Sequence, residues 1–451
     1  MKFILWGTGQ IFNKYKSYIN FSNVVALVDN DCEKWGTKIE GLNVVAPVDL
    51  DKYEYNYIVI MAVKYESIRK QLLNMNIAED KIVDREHRGI FKNIILQKKF
   101  EVTRPFSEKK RRIALISHTL DRTGAPLVLL NLAKVLIEAG FYVDVYSFGT
   151  DKIVDEFLKL NIPVTMFLNM HFDVNYCYEQ FEKYDLVLVN TLVLYKVVEL
   201  LRNICRPVIW WLHEEDDYMH RLVNEGMNIR TFEKLHIFGV SERVISALKK
   251  YYPEIKCDLL PYGIVHENVI EKKENKKIVF AVIGSVCTRK GQDVLLEAVI
   301  NKSNEWKEKA EFWIIGSISN EKREEYQKCE LIKVIGECNH SEVIDLYRYI
   351  DVVVCPSLND PLPVVIAEAM QQKRICIVSD MTGMSKFISQ YKDGLICKAG
   401  DSCDLQTCIQ WVLDNIDKAT EMGEMSYKIY VNNFSMTAFR NNVIGIVNEV
   451  L

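Results

Sequence analysis

Continuous apolar runs recur along the chain, separated by stretches in which apolar positions return with helical period. Unbroken apolar runs of this kind mark strands buried on both faces, and the stretches between them mark amphipathic helices. Lys2–Trp6, Val24–Val28 and Tyr57–Val63 read as strands of a first unit that ends near Ile94–Leu96. A second unit starts with strand Ile113–Ser117 and a helix over Ala125–Ala139, then adds strands Tyr142–Tyr146, Leu186–Val189, Val208–Leu212 and Leu235–Val240. A third follows the lysine-rich Glu271–Lys277 with Ile278–Ile283, Phe312–Ile315, Val352–Cys355 and Ile375–Val378. Strand and helix alternating in this way predict parallel α/β domains, whose ligands sit beyond the carboxyl ends of the strands.

Between the first two units, Gln97–Arg112 carries Lys98, Lys99, Arg104, Lys109, Lys110, Arg111 and Arg112 around Pro105. It reads as a linker. The alternative is a patch facing anionic lipid, where each basic residue contributes about 1 kcal/mol. The length of 451 residues sets a prior of about three domains, and 49% hydrophobic residues supply more than one core. The net charge of −4, from 57 Lys+Arg against 61 Asp+Glu, argues against general nucleic-acid binding. No run approaches the ~18 apolar residues of a membrane span. Met1–Trp6 leads straight into a glycine turn without a signal-cleavage pattern. The twelve cysteines lie singly, several in apolar runs such as those of Cys355 and Cys376, with no Cys-x-x-Cys pair or zinc spacing. A cytoplasmic chain that uses thiols as small hydrophobes is expected.

Candidate chemistry gathers in the loops after the strands. Asn359-Asp360-Pro361-Leu362-Pro363-Val364-Val365 opens a helix that carries Glu368 eight positions after Asp360. Prolines are pre-organised for a first helical turn, and its unpaired N–H groups suit an anion. A ligand across that terminus would place phosphates on the amides and hydroxyls on the carboxylates; the plainer reading is a cap at Asp360 and a surface acid at Glu368. Gly284-Ser285-Val286-Cys287-Thr288-Arg289-Lys290 follows the first strand of the third unit and joins close backbone approach to compact positive charge. Gly124 and Ala125 begin the first helix of the second unit, and His213 ends the run Val208–Leu212. Glu214 and Glu215 read as helix-start acids. Val240-Ser241-Glu242, Pro261-Tyr262-Gly263, Gly336 and the closing segment Phe434–Leu451 complete the set.

In order and position these segments resemble, over residues 112–451, the retaining GT-B glycosyltransferases of the family 4 type (glycosyl transferases group 1). The implied architecture is α/β: two Rossmann-like halves, 113–265 and 266–433, with a terminal helix at 434–451 that returns to the first half. A smaller Rossmann-like domain at 1–97 and a linker at 98–112 precede them. The resemblance implies that Glu368 holds the donor ribose, that Asp360 with Leu362, Pro363, Val364 and Val365 addresses the transferred sugar, and that Lys290 neutralises the diphosphate. Ser285, beside Gly284, stands where an arginine is common, which leaves Arg289 to supply the second charge. Gly124 and Ala125 would lie between phosphate and acceptor, Gly336 against the base, and His213 beside the sugar, carrying part of the positive charge. The chain departs from the family pattern with Asp360 for glutamate, Pro-Leu-Pro for Gly-Phe-Gly, and Tyr262 for asparagine.

The implied activity is transfer from a UDP-, GDP- or similar nucleotide-sugar to a glycan, lipid-linked or glycoprotein acceptor in surface polysaccharide or glycoconjugate synthesis. Neither metal nor cofactor is expected. Two other functions fit the same fold, a nucleotide-sugar 2-epimerase and a non-catalytic partner of another transferase. A peripheral place on the inner membrane face would suit a lipid-bound acceptor. In the first unit, Gly7-Thr8-Gly9-Gln10-Ile11-Phe12 with Asp29 matches the dinucleotide fingerprint except for Phe12 at the third glycine. That domain resembles Rossmann-type modules attached to polysaccharide-synthesis enzymes, and docking or oligomer contact is expected of it before nucleotide binding.

Overall fold

The computed structural model describes residues 2–16, 19, 21–83, 97–103, 110–148, 152–167, 174–265 and 268–451. Its first sheet contains β1 (Phe3–Trp6), β2 (Val24–Val28), β3 (Lys38–Ile39), β4 (Leu42–Val45), β5 (Tyr57–Ile60) and β6 (Ile82–Val83), in the order β3-β4-β2-β1-β5-β6. The fingerprint loop is closed by its own side chains. Asp29 Oδ2 accepts from the Thr8 amide at 2.8 Å and from Lys34 Nζ at 3.1 Å, and Phe12 is fully buried where a third glycine would stand. Asp29 is thereby committed to its own loop, and Phe12 fills the contact between helix and sheet.

The second sheet contains β7 (Gln97–Phe100), β8 (Arg112–Ser117), β9 (Tyr142–Ser147), β10 (Val164–Phe167), β11 (Leu186–Asn190), β12 (Val208–Leu212), β13 (Leu235–Gly239) and β14 (Asp258–Leu259). Its order is β14-β13-β12-β11-β8-β9-β10-β7. All pairs are parallel except β7 on β10, which runs from Val164 opposite Phe100 to Phe167 opposite Gln97. The linker expected at 98–112 is corrected here, because Gln97–Phe100 is an edge strand of this sheet and Arg112 opens β8. A strand with one neighbour needs no apolar run, and a lysine such as Lys99 protects such an edge from further pairing. Arg104, Pro105, Lys109 and the expected unit end at 94–96 lie outside the described residues.

The third sheet is parallel throughout, with β15 (Ile278–Ile283), β16 (Ala310–Ile315), β17 (Ile332–Gly336), β18 (Val352–Cys355), β19 (Ile375–Ser379) and β20 (Leu395–Cys397) in the order β17-β16-β15-β18-β19-β20. Strand order reverses between β8 and β11 in the second sheet and between β15 and β18 in the third. Diverging connections at such points leave a crevice at the carboxyl ends of the strands. His118, Thr191, Gly284 and Pro356 each follow one of those four strands.

The chain end ties the halves together. The Ile264 amide donates to the Phe434 carbonyl at 2.9 Å, and the Met436–Val450 helix lies on the Gly124–Glu138 helix. Phe439 stacks on Trp211 at 5.8 Å, and Arg440 reaches Glu138 at 3.0 Å. The loop after β15 presses equally closely on the turn after β18. Gly291 has φ +70°, and a Cβ there would lie 2.1 Å from the Pro356 carbonyl oxygen. Gly291→Ala therefore combines a left-handed strain with a backbone clash, and a loss of about 3 kcal/mol of stability is expected. A denaturant midpoint equal to wild type would contradict this.

Candidate active site

Two helices from opposite halves start at one cleft. The Gly124–Glu138 helix follows Thr123 and the Val364–Gln371 helix follows Pro363, and neither of these residues caps its helix with a side chain. Their first turns therefore present amide groups and the positive ends of two helix dipoles. Gly124, Ala125, Leu362 and Val364 line the cleft, with His213 and Asp360, around a volume of about 310 Å³.

The cations of the third unit meet the first acid of the motif. Lys290 Nζ lies 2.7 Å from Asp360 Oδ2, and Arg289 Nη1 lies 3.4 Å from the same oxygen. Arg289 also donates to the Asn359 carbonyl at 2.9 Å, which holds the two loops together. The Asp360 side chain is only 7% exposed, so this pairing compensates a buried carboxylate. Ser285, at the position where an arginine is common, accepts from Ser317 Oγ at 2.8 Å, and Gly284 lies 3.9 Å (from a Cβ built there) from the Lys290 stem. Glu368 sits one helical turn beyond Val364, outside the cavity, with Oε1 3.8 Å from His340 Nδ1. Gly336, with φ +97°, faces Arg323, whose Nη2 would be 3.0 Å from a Cβ at that position. Val365 completes the first turn and accepts from the Tyr347 hydroxyl at 3.3 Å.

His213 stands beside the cleft as the sequence suggests, but without the charge expected of it. Burial, reinforced by nearby His118, pushes its pKa down to about 3. The ring is neutral, it packs on Trp211 at 4.7 Å, and its buried Nε2 has no hydrogen-bond partner. In this neutral form, with no anion bound beside it, the ring can orient a hydroxyl.

Among the polar lining residues, His118 and Thr191 escape the sequence reading and Glu214 is read there as something else. His118 follows β8 as His213 follows β12, so the same position at a strand's carboxyl end could have found it. Its Nδ1 lies 3.2 Å from Thr191 Oγ1. Glu214 is no helix-start acid, since its Oε2 accepts from the Leu192 amide at 2.8 Å and from the His213 amide at 3.0 Å. Nothing in the sequence marks Thr191.

The loop before Val364 is clamped from the other half. The Tyr262 hydroxyl donates to the Leu362 carbonyl, and Ser241 Oγ donates to the Pro361 carbonyl at 2.6 Å. Arg243 Nη2 donates to Asn359 Oδ1 at 2.9 Å, while Asn359 Nδ2 reaches Asp217 at 3.1 Å. Tyr262 thus replaces asparagine with a longer donor that spans the halves.

The model "Glycosyl transferases group 1" matches residues 266–429, and "Glycosyl-transferase family 4" matches residues 109–242. This chain belongs to the GT-B glycosyltransferases of the family 4 type. A third model, "C2185-like, N-terminal", matches residues 1–83, the extra domain of this chain. Among curated relatives, the alpha-D-kanosaminyltransferase of Streptomyces kanamyceticus is 21% identical over 175 residues, 37% of this chain and 45% of that protein. The N,N'-diacetylbacillosaminyl-diphospho-undecaprenol alpha-1,3-N-acetylgalactosaminyltransferase of Campylobacter jejuni is 27% identical over 159 residues, 32% of this chain and 40% of that protein. The matched part of the chain thus spans less than half the length of either curated relative. Anabaena HepE, solved with UDP and glucose, superposes with a TM-score of 0.60 at 16% identity, covering 75% of this chain and all of that one. That superposition shows the shared fold.

Proposed function

We propose that the chain is a retaining glycosyltransferase that moves a sugar from a nucleotide-diphosphate sugar to an acceptor hydroxyl. The observation that carries this reading is the meeting of two uncapped helix N-termini, one from each half, at a cleft whose Asp360 is paired with Lys290 and Arg289. A diphosphate across those termini would draw Lys290 from Asp360. As the bond from sugar carbon to diphosphate oxygen breaks, amides and lysine would meet the developing charge with little reorganisation. Asp360 and His213 Nε2, on facing walls, are suited to hold sugar hydroxyls. Glu368, one turn along the helix, is suited to hold the ribose, with Gly336 and Arg323 beside the base. Glu214, the other carboxylate lining the cavity, is held by the Leu192 and His213 amides, and attack by the acceptor from the face that the diphosphate leaves is the favoured route to retention.

HepE's complex with UDP and glucose supports a nucleoside diphosphate as the donor's leaving group, and the diphospho-undecaprenol in the Campylobacter relative's name supports lipid-linked acceptors. Among the described residues no helix is long and apolar enough to cross a membrane. The proposed place of work is the cytoplasm, including the inner membrane face, with surface-glycan assembly as the process. The first domain is proposed to dock a partner or a second copy, because its fingerprint acid is occupied by Thr8 and Lys34.

A melting panel with UDP, GDP, ADP, CDP, dTDP and NAD, each with magnesium and with chelator, tests the reading. A ligand at a hundred times its Kd adds about 2.7 kcal/mol to the unit that binds it. One nucleoside diphosphate is expected to raise Tm in chelator, and its α-linked sugar nucleotide to yield an α-linked product. Isomerisation of the donor without acceptor would establish an epimerase instead, and binding without turnover on any acceptor a partner subunit.

A further inference from the structure

One wall of the cleft has polar groups that donor binding leaves unused. Thr191 has φ +85° and ψ 152°, a backbone region that is essentially glycine's and costs about 1–3 kcal/mol for other residues. The surroundings hold it there. Its amide donates to the Trp211 carbonyl at 2.8 Å, its carbonyl accepts from Trp210 Nε1 at 2.9 Å, and its hydroxyl meets His118. The consequence is local: the next amide, that of Leu192, points at Glu214. With the His213 amide on the same Oε2, the carboxylate is fixed from two sides at the cleft that Glu214 lines. Strain is retained where the fold over-determines it, and here it aims one carboxylate.

We propose that His118, Thr191 and Glu214 form the seat of the acceptor's attacking hydroxyl, and that Glu214 takes its proton. This rests on the transferase reading. As the acceptor oxygen bonds to the sugar carbon, the bond from that carbon to the diphosphate oxygen breaks. The electron pair leaves with the diphosphate, the hydroxyl proton passes to the Glu214 carboxylate, and solvent later removes it. The seat takes an uncharged hydroxyl of a sugar or polyol.

The groups facing Glu214 set its titration. Burial pushes its pKa up to about 7, the Leu192 and His213 amides pull it down, and Glu215 adds to the rise. Burial also lowers the pKa of both His118 and His213, and Asp121 acts on His118 in the opposite direction. Asp360, across the cleft, is paired with Lys290. An acid must be ionised to take a proton, so turnover rises with pH as Glu214 loses its own.

Glu214→Gln tests this, because glutamine keeps a carbonyl oxygen for the two amides. The expected result is a wild-type Tm, an unchanged KM for the donor, a kcat for transfer at least about 100-fold lower, and no rise of kcat across pH 7. Glu214→Asp, a shorter carboxylate, is expected to keep that rise with an intermediate kcat. A Glu214→Gln enzyme with wild-type kcat and pH profile would overturn the proposal. So would a loss of Tm or of donor binding in both variants, which would make Glu214 a purely structural support. Assay of the wild type comes first: if it transfers sugar to no acceptor, the transferase reading falls, and this one with it.

Discussion

Lys290→Ala is expected to lower kcat by about 10²–10³, the cost of removing one preorganised donor from a developing oxyanion. The structure makes this variant harder to interpret than a surface lysine would be. Lys290 is the nearer of the two cations on Asp360, at 2.7 Å against 3.4 Å for Arg289, and the carboxylate is 7% exposed. Its loss leaves a buried charge poorly compensated, so Tm should fall as well. Lys290→Ala combined with Asp360→Asn separates the two effects, because it removes the charge that needed compensation. Tm is expected to recover in the double variant while kcat does not. Recovery of both would mean that Lys290 serves only to hold Asp360, and the diphosphate would have to be neutralised elsewhere.

That ion pair also shows where sequence reading stops. Lys290 and Asp360 stand out singly, each in a loop after a strand, but nothing in the spacing shows that they touch. Many strands were legible because burial on both faces leaves unbroken apolar runs, as in Val208–Leu212, whereas the run Tyr57–Val63 continues three residues beyond the strand that ends at Ile60. Gln97–Phe100 was illegible for the converse reason: a polar edge strand pairs through its backbone and has no pattern of its own. Helix starts at Gly124 and Val364 were readable from glycine and proline. The state of the groups around them was not. His213 is neutral because of burial that the fold creates, and Glu214 looks like any acid before a helix until Thr191 turns the Leu192 amide toward it. Tyr262 reads as a departure from the family pattern, and only the packed halves show its hydroxyl on the Leu362 carbonyl.

Glu368→Ala should act through the donor and not through the fold. The carboxylate is on a helix whose buried face is carried by Ile366, Ala367, Ala369 and Met370, and alanine is the best helix former, so Tm should change little. Two ribose hydroxyls on an ionised acceptor contribute about 1.5–3 kcal/mol each, and losing both should cut kcat/KM for the donor by at least about 100-fold. The same loss should appear in wild type when the donor lacks a ribose hydroxyl, since the carboxylate then keeps an unmet acceptor. Combining the two changes decides the assignment. If Glu368 holds the ribose, a 2′- or 3′-deoxy donor costs the Glu368→Ala enzyme little more than the intact donor does, and the two penalties are far from additive. Additive penalties would place the ribose elsewhere and leave Glu368 acting through His340, 3.8 Å away. In that case His340→Ala would reproduce the defect of Glu368→Ala, whereas with Glu368 on the ribose it should cost much less.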